Sequence, residues 1–242
     1  MYWENVVVDA VDPQRLGRFW EAALGGTNLT DAPDVFETRV SVERGPTLDY
    51  CFPQVPEPPA EPQRLHLDLY GDRGQSDVVV RLLGLGARHV DIGQGDVPWV
   101  VLADVEDNPF CVMEARPAYV DTGPVAALPL DSADPERDAA FWAWLTGWTR
   151  AEGAGLVTLR HPSGRGPLLE LCPEPAPKGP FETAKNRMHL DLRLEVGDDA
   201  DAVAAGIEER GGRELHPDWG DLPWRVFADP SGNELCVLPA RG

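Results

Sequence analysis

The sequence predicts an α+β fold: a tandem repeat of paired β-α-β-β-β units, with each half of the chain curling into an open cup. Two observations carry that expectation. The hexapeptide RLHLDL at 64–69 returns as RMHLDL at 187–192, with five of six residues alike and the histidines 189 − 66 = 123 positions apart in a chain of 242. Longer stretches repeat in the same order: VVVDAVDPQRLGRFWEAALGG (6–26) matches AALPLDSADPERDAAFWAWLTGW (126–148), and VPWVVLADVEDNPFCVME (97–114) matches LPWRVFADPSGNELCVLP (222–239). A period of roughly 120 residues lies far above the 20–50 of solenoid repeats, so the chain is a duplicated domain. The boundary falls in RPAYVDTGP (116–124), where Pro, Gly and small residues interrupt the apolar alternation. It separates an N-terminal domain at 1–117 from a C-terminal domain at 124–242.

Each half repeats one unit twice. A strand at about 5–11 leads into a helix with strong start and stop signals: Asp12 at the N-cap, Pro13 in the first turn, and Gly25 after the last periodic residue. Leu16, Phe19, Trp20 and Ala23 fall at i, i+3, i+4 and i+7, which makes one buried helix face. Further strands run to TLDYCF (47–52), and a Pro-rich connector (53–63) restarts the pattern with the strand RLHLDLY, the helix SDVVVRLLGLG (76–86) and strands ending at Met113. The second half follows suit, with CPEPAPKGPFETAKN (172–186) as connector and DDADAVAAGIEERGG (198–212) as the later helix. Alternation in LHLDLY puts Leu65, Leu67 and Leu69 on the helix-packed face and His66 and Asp68 on the other; Met188, Leu190 and Leu192 leave His189 and Asp191 likewise.

Composition narrows the function classes. With 43% hydrophobic and 26% charged residues the chain has a globular composition, and it contains no apolar run long enough to span a bilayer. A formal net charge of −20 removes nucleic acid and membrane surfaces as expected partners. Four cysteines without a C-x-x-C pair, and an N-terminus without a basic and apolar leader pattern, point to reduced thiols in the cytoplasm.

The paired units, the DP…FW…LG first helix, the HLDL strand and the DPSGNELCV terminal hairpin resemble the vicinal oxygen chelate superfamily, which includes glyoxalase I, extradiol dioxygenases and bleomycin-resistance proteins. Tandem glyoxalase-like domain proteins are the most similar members. The resemblance implies a strand-lined cup and, in metal-using relatives, four inward ligands. Carried over by position, the first ligand falls on Asn5 and Ala127. The second falls on Asp49 and Glu170, if RGPTLDY (44–50) is set over RGPLLEL (165–171). The third falls on His66 and His189, and the fourth on Cys111 and Cys236, where the family usually has glutamate. Asp49, His66 and Cys111 in one half, and Glu170, His189 and Cys236 in the other, would each suit zinc if they converged. Neither half has the second histidine of a dioxygenase iron site nor the full ligand set of glyoxalase I, so neither activity is expected. Histidines that only line a pocket, and cysteines buried as small apolar residues, account for the same pattern without metal.

Asp68 and Asp191, two residues beyond each histidine and on its face, are the expected catalytic carboxylates, orienting the imidazole or acting as base; pairing with Arg64 or Arg187 is the structural alternative. Trp99 and Trp224 open the penultimate strands and are candidates to stack on a ligand, whereas Trp20, Trp142 and Trp144 read as core. The C-terminal half is the favoured site, because Glu170 reaches further than Asp49 and Gly232 stands where the first half has Asp107. Three functions fit: a binding protein for a small organic molecule that needs no metal, a divalent-metal-dependent lyase or isomerase for a small carbonyl compound, and a scaffold with degenerate sites. Because fusion already pairs the units, a monomer or weak homodimer is expected.

Overall fold

A computed structural model of the chain describes residues 1–57, 62–152, 155–176, 178–181 and 183–242. The connectors expected at 53–63 and 172–186 fall in part on 58–61, 177 and 182, outside the described residues.

The unit occurs four times. Unit 1 is β1 (Tyr2–Val8), α1 (Pro13–Leu24), β2 (Thr27–Ala32), β3 (Val35–Ser41) and β4 (Thr47–Pro53). Unit 2 is β5 (Asp68–Tyr70), α2 (Gln75–Leu85), β6 (Arg88–His89), β7 (Val100–Ala103) and β8 (Pro109–Met113). Unit 3 is β9 (Val125–Ser132), α3 (Pro135–Thr146), β10 (Thr149–Glu152), β11 (Val157–Arg160) and β12 (Leu168–Pro173). Unit 4 is β13 (Met188–Arg193), α4 (Ala200–Glu209), β14 (Arg213–Leu215), β15 (Arg225–Ala228) and β16 (Glu234–Leu238). The helix signals act as expected. The Asp12 and Asp134 side chains accept from the Arg15 and Arg137 backbone N–H groups, and Gly25 closes α1 at φ 67°.

The α+β class and the paired units stand, but the units do not pair within their own halves. One eight-stranded sheet runs β14-β15-β16-β13-β1-β4-β3-β2 and joins units 4 and 1; the other runs β10-β11-β12-β9-β5-β8-β7-β6 and joins units 3 and 2. The seams are antiparallel, β1 on β13 and β9 on β5. Each cup is therefore shared between the halves, in place of one cup per half. Chain continuity supplies the reason. β8 and β9 both border β5, so the short segment between them has to cross one strand, a gap of roughly 10 Å. That crossing commits units 2 and 3 to one sheet, and units 1 and 4 take the other.

The two sheets turn their helix-bearing faces toward each other over one continuous apolar core, which takes Leu16, Trp20, Leu82, Trp142 and Ile207 from the four helices and Val6, Tyr50, Leu128 and Leu190 from the strands. Leu65, Leu67, Leu69, Met188, Leu190 and Leu192 lie in this core, which leaves the intervening histidines and aspartates on the opposite, open faces. Trp20 and Trp142 are fully buried and donate through Nε1 to Asp104 and Asp229. Trp144 is a correction to the expected core set: it is 37% exposed and lies under Arg210 at 4.1 Å, over Gly206, where any β-carbon would meet its ring at 2.7 Å. Arg64 and Arg187 do not meet Asp68 and Asp191. They cross between the halves, Arg64 to Asn233 and Arg187 to Glu106, and so tie each half to the terminal turn of the other.

Candidate functional site

On the first open face, built by units 1 and 4, one transverse row of neighbouring strands carries Arg39, Asp49, Asn5, Asp191 and Cys236, because Arg39 pairs Asp49, Asp49 pairs Asn5, Asn5 pairs Asp191 and Asp191 pairs Cys236. The row is wired by side chains. Arg39 holds Asp49 in a two-pronged pair at 2.7 Å on both oxygens, and Asn5 donates to Asp191 Oδ2 at 3.0 Å. His189 sits one pleat along β13, opposite Val7, with its Nε2 3.4 Å from Asp191 Oδ1. Burial first, then Asp191, pushes the Cys236 thiol well above its ordinary pKa.

Among the described residues, one group of three side chains can offer ligand atoms to a common ion: His189, Asp191 and Cys236, whose donor atoms lie within 4.8 Å of one another. Imidazole nitrogen, carboxylate oxygen and thiolate sulfur suit zinc with an open fourth position. The buried atoms fit as well. His189 Nδ1 has no hydrogen-bond partner, a costly arrangement for a polar atom sealed from water, and Asp191 Oδ1 has the His189 Nε2 contact at 3.4 Å. Asp49, neutralised by Arg39, and Asn5, which holds Asp191, support the group without joining it. Around it the connector packs close: Lys178 pairs with buried Glu234, Lys185 pairs with Asp9 and lies 5.7 Å from the Trp219 ring. Trp224, which leads into β15, is 36% exposed.

The second open face, built by units 2 and 3, is different. Leu168, Ala127, Asp68 and Cys111 form the corresponding row. Pro129 stands where the first face has Val7; it has no N–H to give His66, so only the His66 N–H to Pro129 carbonyl bond remains, at 2.9 Å. The ladder breaks there, and the strand expected over RLHLDLY shortens to Asp68–Tyr70 with an isolated bridge at Leu65. Among the described residues no hydrogen bond or ion pair joins His66 to Asp68, and they form no group of three ligand-bearing side chains with Cys111. Asp68 meets Cys111 instead. Burial, then the charge of Glu170, raises Asp68 to about 7, and burial lowers His66.

This face is also covered. The segment between β8 and β9 forms a 3-10 turn, Pro117–Tyr119, that lays Tyr119 on the sheet among Met113, Ala127 and Leu168, with Cys111, Tyr70 and Trp99 against them. Tyr119 is fully buried. Trp99 packs partly buried against this cluster, 5.6 Å from the Arg116 guanidinium.

The expected metal sets are regrouped by this architecture. Glu170 lies on β12 of the second face and His189 and Cys236 on the first, so that trio does not converge; Asp49 is likewise parted from His66 and Cys111. The strand setting also shifts. Register places Asp49 beside Asn5 but Glu170 beside Pro129, so Glu170 corresponds to Cys51 and Leu168 to Asp49. Residues that the sequence reading passed over are Arg39, Arg116 and Tyr119; an aromatic inside an otherwise Pro- and Gly-rich linker was the available signal for the last.

Comparison with known proteins agrees with this architecture. The glyoxalase-like domain family matches residues 5–113 and 127–238. In structure the chain is similar to glyoxalase I from Zea mays (15% identity, TM-score 0.66, covering 98% of this chain and 92% of that one). It is also similar to a putative dioxygenase from Bacillus subtilis (15% identity, TM-score 0.61, covering 100% of this chain and 86% of that one). At such identities the likeness shows the fold alone. No curated protein matches the sequence. Two matched copies spanning most of the chain, four β-α-β-β-β units and two open eight-stranded sheets make this protein a member of the glyoxalase-like domain family, with its domain present in tandem.

Proposed function

We propose that the first open face is a cup that binds a small organic molecule, and that His189, Asp191 and Cys236 hold a divalent ion, zinc by donor type, at its floor. The observation that carries this reading is the convergence of the three donor atoms within 4.8 Å of one another. A bound ion would supply polarisation of a ligand carbonyl, the chemistry of a lyase or isomerase acting on a small carbonyl compound. The chain's own residues do the rest. Asn5 fixes Asp191, Arg39 keeps the second carboxylate of the row neutralised, and Trp224 offers a flat exposed ring to the ligand. The second face fits the expectation of a degenerate site. Four free thiols favour a reducing, cytoplasmic setting, and sheets already complete within one chain favour a monomer or weak homodimer.

Zinc titration of metal-stripped protein tests this. Wild-type protein should take up one zinc per chain, His189→Ala should weaken that uptake at least about 100-fold, and His66→Ala should leave it intact. Equal losses from both variants would overturn the assignment to the first face. Wild-type protein that takes up no zinc would leave the metal-free reading, in which His189 and Asp191 hydrogen-bond the ligand directly.

A further inference from the structure

We propose that the second open face is itself a binding site for a phenol-sized aromatic molecule, and that in this chain the molecule is the protein's own Tyr119. The geometry around that ring is the geometry of a ligand pocket. Its edge meets Tyr70 at 6.4 Å between centroids, 79° out of plane, the T-shaped arrangement that aromatic pairs favour. The Arg116 guanidinium lies 5.4 Å from its centroid and donates through Nη1 to the phenolic oxygen at 3.3 Å. Ala127 and Leu168 stand in the row where the first face has Asn5 and Asp49, so a small and an apolar side chain make a floor against which a ring can lie dry.

The delivery is also built. The Thr122 hydroxyl donates to the Tyr119 carbonyl at 2.9 Å, and Arg160 donates to the Val120 carbonyl at 2.6 Å. The Gly166 N–H donates to the Asp121 carbonyl at 3.0 Å. The Thr122 bond folds the strap on itself, the Arg160 and Gly166 bonds fasten it to unit 3, and Tyr70 N–H to the Pro124 carbonyl, at 2.9 Å, fastens its end to β5. Tyr119 is thus held in place by its neighbours in the chain, at a local concentration no free phenol matches. One chain then offers one cup to outside ligands. The inference stands whether or not zinc occupies the first face, because no residue is shared between the two.

The test removes the built-in ring and supplies it from solution. Full-length Tyr119→Ala should melt roughly 10 °C below wild type, as expected for emptying a buried aromatic site in a chain of this size. Adding phenol at millimolar concentration should restore much of that loss with one molecule bound per chain, since dry engineered cavities accept small aromatics of matching shape. Wild type and Tyr119→Phe should bind no phenol at this face. If Tyr119→Ala does not fold, Tyr119→Val leaves a smaller vacancy and is titrated in the same way. Variants that melt lower but gain nothing from phenol would overturn the proposal. So would wild-type protein that binds phenol at this face as tightly as the variants do. Zinc uptake measured on the same samples separates this result from the first face: it should be unchanged throughout.

Discussion

The two open faces are built from equivalent strands and have diverged in chemistry. On the first, Asn5, Asp49, Val7, His189 and Asp191 keep a regular ladder, with polar side chains wired across it and His189 Nε2 3.4 Å from Asp191 Oδ1. On the second, Ala127, Leu168 and Pro129 replace the first three; the ladder breaks at His66, and Tyr119 lies over the row. One substitution explains more than its own contact. Pro129 removes a ladder donor at His66 and β5 begins only at Asp68, and among the described residues the His-x-Asp triplet joins a ligand-bearing cluster on one face and not on the other. A motif written twice is not a site twice.

The comparison depends first on the exchanged pairing, and separating the halves should have the largest effect. Residues 1–117 alone carry β1 without β13 and β5 without β9, so two sheet edges are left bare. Expressed alone, this half should aggregate or self-associate. Co-expressed with 124–242, it should form a one-to-one complex with the circular dichroism of the intact protein. A monomeric, cooperatively melting 1–117 with the stability of the full chain would break the comparison outright.

A smaller effect comes from the buried acid of the second face. Asp68 in the folded chain is raised from 3.8 to about 7, by burial first and Glu170 second, so the folded state holds this proton more tightly than the unfolded state does. Its stabilisation is full below about pH 4 and is lost as pH rises toward 7. Between pH 5 and 8, stability read from urea midpoints should fall by about 2 kcal/mol in wild type, and the Asp68→Asn variant should lack that component. An unchanged pH slope in the variant would show that the second face is wetter than its burial indicates.

The terminal turns give the smallest contrast. Gly232 has φ 89° and Asp107, its counterpart, φ 66°. Gly232→Ala should cost about 1 kcal/mol in denaturant unfolding. Asp107→Gly relieves an uncommon backbone conformation but loses the exposed Arg88 pair, and should change stability by less than about 0.5 kcal/mol. A loss from Asp107→Gly as large as from Gly232→Ala would mean that the Arg88 contact matters more than the backbone.

Local signals in the sequence carried a great deal. The Asp-Pro caps, the glycine stops and the alternation of Leu65, Leu67 and Leu69 around His66 fixed the units and the side of the sheet on which each histidine lies. Two features were not legible. Which strand edges meet is decided by the crossing between β8 and β9, and periodicity within a strand carries no information about its neighbour. The register of β12 was concealed by a hairpin that closes between Arg39 and Asp49 in unit 1 but between Arg160 and Leu168 in unit 3, two residues shorter. Because side chains alternate with period two, that shortening leaves every residue on its proper face and moves it one step along the strand, while the shared Arg-Gly-Pro draws the alignment toward Glu170. The metal group escaped for the same two reasons, since its expected carboxylate belonged to the other sheet and Asp191 took that place.

The seam between β1 and β13 also sets a timetable. Val8 pairs with Met188, so β1 meets its antiparallel partner only after about 180 further residues have been made, roughly 9–36 s at ordinary rates of synthesis. Through that interval the β1 edge stays open, while units 2 and 3 complete their sheet first. Units 2 and 3 can therefore pair before unit 4 exists to close the sheet of unit 1.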